Sequence, residues 1–102
     1  MKLVRNEAQN GKYAVINLQE IPEGCTFSII GNDGADYSAL INFGHKNTED
    51  EFFVLMLKDT NSEDALLAYA DSAEKYDPEF ATEVRELATR SGQHSPFCKI
   101  PD

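Results

Sequence analysis

The fold is decided by "EFFVLMLKDTNSEDALLAYADSAEKYDPEFATEVRELATRSG" (51–92), where an unbroken apolar run gives way to two helical patterns. Six consecutive apolar residues, "FFVLML" (52–57), lie between Glu51 and Lys58. Their number and their aromatics predict a strand, and the lack of alternation predicts that both of its faces are covered. Behind it, Thr60-Asn61-Ser62-Glu63 has the form of a capping box, with Thr60 bonding forward and Glu63 bonding back. Leu66, Tyr69, Ala70 and Ala73 then recur at helical spacing. Asp77-Pro78 restarts the pattern as N-cap and first helical residue, and Phe80, Val84, Leu87 and Ala88 form a second stripe that stops at Gly92. The reading is two helices, 61–75 and 78–91, joined tightly enough to be antiparallel neighbours.

Upstream, the chain carries strand signals. "KYAVINL" (12–18) follows the turn pair Asn10-Gly11, with "KLVR" (2–5) as its short partner. "IPEG" (21–24) and "GNDG" (31–34) read as turns on either side of "TFSII" (26–30). In "YSALINF" (37–43), Tyr37, Ala39, Ile41 and Phe43 alternate with Ser38, Leu40 and Asn42, as in a half-buried antiparallel strand. The expectation is a single α+β domain over residues 1–102. An N-terminal antiparallel β-sheet (1–58) precedes a C-terminal two-helix hairpin (60–91) and an extended docking tail (92–102). With helices on one side of the sheet, the other side of "FFVLML" must be covered by a second copy of the chain or by the N-terminal hairpin. The second copy is the simpler partner, so a homo-oligomer is expected.

A chain of 102 residues supports one modest core. Its 18 acidic and 9 basic residues leave a net charge of −9, which opposes direct nucleic-acid binding and anionic membranes. No apolar run approaches the roughly 18 residues of a membrane span, and "MKLVRNEAQNGK" lacks an apolar signal core. A cytoplasmic protein is expected. Cys25 and Cys98 read as reduced thiols; with His45 and His94 they make a formal zinc set, but without the close ligand pairs such sites show, so no metal is assigned.

No phosphate loop, H-E-x-x-H, C-x-x-C or G-x-S-x-G motif occurs. A Cys98 nucleophile with His94 as base would sit on a tail that ends four residues later, without the rigid support catalysis needs. Glu79, Glu83 and Glu86 share one helical face and read as solvated. The chain is therefore read as a non-enzyme without a cofactor.

The scarce cations are more informative. Arg85, Arg90, His94 and Lys99 lie in the second helix or the tail, with Phe97 among them. A tail folded back over the helix end would let Arg90, His94 and Lys99 surround a small anion, with Phe97 stacking on a base. Lys58, His45 and Lys46 are the candidates to join them from the same or a neighbouring subunit. The competing reading pairs Arg85 and Arg90 with local glutamates. Phe97 and Ile100, set between prolines, read as an arm packed on its own domain or on a neighbour.

The stretch 51–102 resembles small phage-encoded accessory proteins in which a hydrophobic strand ending in Lys-Asp precedes an alanine-rich helix. The resemblance implies a short anti-defence protein in the host cytoplasm, in one of two roles. One is a sponge similar to the anti-Thoeris type: a homo-oligomer that sequesters a small nucleotide signal, a cyclic ADP-ribose isomer or a cyclic oligonucleotide. The other is an acidic inhibitor of a host defence protein, similar to DNA-mimicking anti-CRISPR proteins. Its face would be Glu49, Asp50, Glu51, Glu79, Glu83 and Glu86. The clustered cations favour the sponge as the expected function.

Overall fold

The structure, a computed structural model, describes residues 13–101. They fall into two compact units, Ala14–Phe53 and a second built on the residues from Val54 onward.

The second unit is a helical hairpin, α1 (Ser62–Ala73) and α2 (Pro78–Ala88). Asp77 caps α2, its carboxylate accepting from the Phe80 N–H at 3.2 Å with Pro78 next in line. The pairing is antiparallel: the Tyr69 and Phe80 rings meet edge-on at 6.0 Å near the connection, and Ser62 meets Gly92 at the far end. Ala70, Ala73, Phe80, Ala81 and Val84 form the core, with Leu66 packed against it. Three of these are alanines with no exposed surface, so the helices meet through small side chains.

The start of α1 differs from the expected capping box. The Thr60 N–H donates to the Lys99 carbonyl at 3.0 Å, and the Glu63 carboxylate pairs with His94 instead of turning back on its own helix. Asp59 takes over locally, its carboxylate accepting from the Asn61 N–H at 2.7 Å and its carbonyl from the Ser62 N–H at 2.9 Å. The tail outcompetes the local cap, and α1 begins at Ser62 with Asn61 making no side-chain cap bond.

The tail returns along residues 57–60. The Gly92 N–H donates to the Leu57 carbonyl at 2.9 Å, and the Lys99 N–H donates to the Lys58 carbonyl at 2.9 Å, making a parallel bridge between Asp59 and Lys99. Ser62 and Ser91 are fully buried in this junction, and Ser95 nearly so. Backbone bonds and buried hydroxyls therefore hold the tail. Its apolar residues do not: Phe97 is 73% exposed and Ile100 79%.

The expected antiparallel sheet is absent. Among the described residues there is no strand, only the Asp59–Lys99 bridge and an isolated antiparallel bridge between Ile30 and Asp36. "KLVR", the Asn10-Gly11 turn and Lys12 lie outside the described residues. In Ala14–Phe53, a 3-10 turn at Leu18–Glu20 begins at the last residue of one run read as a strand, and one at Ser38–Leu40 interrupts another. The cause is competition for backbone N–H groups. Side chains two residues upstream capture them: Asn17 takes Gln19, Asp33 takes Ala35, Asp36 takes Ser38 and Asn42 takes Gly44, at 2.8 to 3.0 Å. The turn at Ser38 also destroys the alternation of 37–43, leaving Tyr37 47% and Phe43 52% exposed. "FFVLML" is likewise no buried strand: the boundary between the units falls between Phe53 and Val54, and Phe53 is 86% exposed. No described residue of Ala14–Phe53 is buried.

Candidate functional site

Each expected cation is placed by a different piece of backbone. Arg85 projects from α2 onto α1, where its guanidinium bonds Glu74 at 2.9 Å and Asp71 at 3.0 Å. The two carboxylates, Glu74 foremost, raise its already high pKa further. This side chain braces the hairpin. His94 ends the 3-10 turn Gly92–His94, and its Nε2 pairs with the Glu63 carboxylate in the first turn of α1. The acid partners of Arg85 and His94 are thus eight or more residues apart on one helix, about 12 Å along its axis at 1.5 Å per residue. Arg85 and His94 do not converge on one small anion.

Arg90 is exposed, and among the described residues its guanidinium reaches the Glu86 carbonyl, at 3.4 Å. Lys58 and Lys99 are brought side by side through their main chains, with both residues exposed. Phe97 is in solvent. His45 and Lys46 are exposed in a turn of the other unit, where the His45 carbonyl accepts from the Thr48 N–H and hydroxyl at 3.2 and 2.6 Å. Of the six expected ligand-binding residues in the helical unit, Lys58 and Lys99 are brought together, and they meet through backbone.

A concave surface lies in the other unit. In Ala14–Phe53, an open groove of about 480 Å³ is lined by Leu18, Ile21, Pro22, Glu23, Phe27 and Phe43, among others. The turn "IPEG" forms its wall, with Gly24 at φ +81°. The Phe27 and Phe43 rings pack tilted at 6.2 Å, and His45 lies 6.4 Å beyond Phe43. Phe52 covers Gly44 so closely that a Cβ there would sit 2.8 Å from its ring. The sequence reading took these residues as strand and turn, and so missed the groove. Its one local signal was Pro22 and Gly24 bracketing a charged turn between apolar residues.

Cys25 and Cys98 are both free and exposed, and Cys25 lines the groove. Among the described residues no group of three or more His, Cys, Asp or Glu side chains could hold a metal ion, and no helix is long and apolar enough to cross a membrane. No protein-family model matches this chain, and neither a curated protein nor a solved structure does.

Proposed function

We propose that this chain is a non-enzymatic binding protein that acts by covering a surface of another protein, the inhibitor role among the two its resemblance implies. The observation that carries the reading is the exposed apolar surface. Val15, Leu40 and Phe53 are each more than 70% exposed in one unit, and Phe97 and Ile100 likewise in the other. So many large apolar side chains left in solvent within each unit favour an interaction surface. The exposed carboxylates Glu49, Asp50, Glu79 and Glu86 give the protein the solubility to carry such a surface. The nucleotide sponge is the weaker reading, because Arg85 and His94 are paired with the chain's own acids at separate points of α1.

The test is native mass spectrometry after incubation with cyclic ADP-ribose isomers and cyclic oligonucleotides, together with Nile red fluorescence of the folded protein. No retained nucleotide and strong dye binding are expected. A nucleotide recovered at one per site from an oligomer overturns the reading.

A further inference from the structure

We infer that the groove of Ala14–Phe53 receives an apolar side chain from a basic segment of a partner protein. The inference rests on the protein-binding reading and adds the place and the chemistry. Three observations carry it.

The groove is built to take a side chain. Its apolar residues, Leu18, Ile21, Phe27 and Phe43, line an open groove of about 480 Å³, room for one or two large side chains and too little for a folded surface. An inserted residue would complete the Phe27–Phe43 pair in the way anchor residues fill interface pockets.

The rim is acidic. Glu23 lines the groove itself, and Glu20 ends the 3-10 turn whose first residue, Leu18, is part of the wall. Over residues 14–53 there are seven carboxylates against a single cation, Lys46. A ligand bearing Lys or Arg beside its apolar anchor is attracted, and an acidic one is repelled.

The same charge argues against a second copy as the occupant. Two copies docking through this groove would bring Glu23 of one toward Glu23 of the other, each on a segment with seven carboxylates and one cation, and like-charge juxtaposition at an interface is costly. Burial is what this segment lacks, since none of its described residues is buried. A basic partner supplies both the missing apolar contact and the opposite charge.

The experiment uses the full chain, isotopically labelled, titrated with three synthetic peptides: an amphipathic Leu/Lys peptide, its Leu/Glu counterpart and oligolysine. The Leu/Lys peptide should shift the resonances of Leu18, Ile21, Phe27 and Phe43 and bind at least about tenfold more tightly than either control. The double variant Glu20→Lys/Glu23→Lys should lose about tenfold in affinity, one charge contact of about 1.4 kcal/mol. Glu79→Lys/Glu83→Lys/Glu86→Lys on α2 should change it little. Phe43→Ser tests the apolar wall at a half-exposed position that the core does not depend on, and should abolish the shifts. Equal binding of the Leu/Glu peptide, shifts confined to α2, or concentration-dependent dimers formed through the groove in sedimentation would each overturn the inference. Shifts on α2 would still leave the protein-binding reading standing. Failure of all three peptides, together with stoichiometric nucleotide capture, would remove that reading as well.

Discussion

The Gly92 N–H points between two acceptors, the Leu57 carbonyl and the Ser62 hydroxyl, each at 2.9 Å. The Ser62 oxygen also lies 2.9 Å from the Leu57 carbonyl and 2.7 Å from the Asp59 carbonyl, to one of which its proton is donated. These few atoms tie the return of the tail to the start of α1. Gly92 is held at φ +55°, and a Cβ there would meet Glu63 Cβ at 3.1 Å and the Thr60 carbonyl at 3.4 Å.

Gly92→Ala should therefore destabilise the helical unit by about 1–2 kcal/mol from the left-handed backbone alone, with crowding added. Ser62→Ala removes a fully buried hydroxyl and should cost about 1–3 kcal/mol. Both are read from urea unfolding midpoints followed by circular dichroism at 222 nm. Unchanged midpoints for both would mean that the junction contributes nothing to stability.

Arg85→Met keeps the aliphatic stem of the side chain and deletes its bonds to Asp71 and Glu74. Because the pairs are partly solvated, the loss should be modest and sensitive to salt. The thermal midpoint should fall at low ionic strength, and the gap from the parent should narrow toward about 1 M salt, where screening is nearly complete. A gap that is constant across salt would assign Arg85 a packing role instead.

Asp36 accepts from the Ser38 hydroxyl and N–H, in that order of influence, and both bonds lower its pKa below 3.8. Ser38 also accepts from the Ile29 N–H at 3.0 Å, so the carboxylate anchors the 29–38 turn. A depressed folded-state pKa stabilises above the unfolded value and loses that contribution as pH falls through the folded one. The turn should thus hold above about pH 4 and loosen below it. Two-dimensional NMR should show the Ser38 amide titrating with a midpoint below 3.8. Asp36→Asn should abolish that step.

Amide hydrogen exchange should divide the chain at the same boundary as its burial. The amides of Ala73, Val84 and Ala88, whose side chains form or border the core, should be the most protected. Those of residues 14–53 should exchange at least about 100-fold faster, because few buried contacts oppose local opening. Equal protection across both units would show one cooperative structure and remove the reason for assigning the apolar surface of 14–53 to a partner.

The helical hairpin was readable from the chain because its determinants are local. Asp77-Pro78 caps α2 by chemistry contained within four residues, and the stripes at Leu66, Ala70, Ala73, Phe80, Val84 and Ala88 needed only the period of a helix. The start of α1 was read to within one residue, but its capping box was not, because the tail claims both ends of it, through Lys99 on Thr60 and His94 on Glu63. The cations scattered across helix and tail looked like one site in sequence. In three dimensions Arg85 and His94 serve opposite ends of α1. The strands failed for a related reason. A helix closes its hydrogen bonds within its own turns, whereas a strand must find distant backbone, and Asn17, Asp33, Asp36 and Asn42 reach the nearby N–H groups first. Residue order alone thus determined the helices, the acidic charge and the absence of familiar catalytic motifs. Which apolar residues are covered and which stay exposed was decided in three dimensions, by the helix–helix packing and the return of the tail in one unit and by the turns that replace strands in the other.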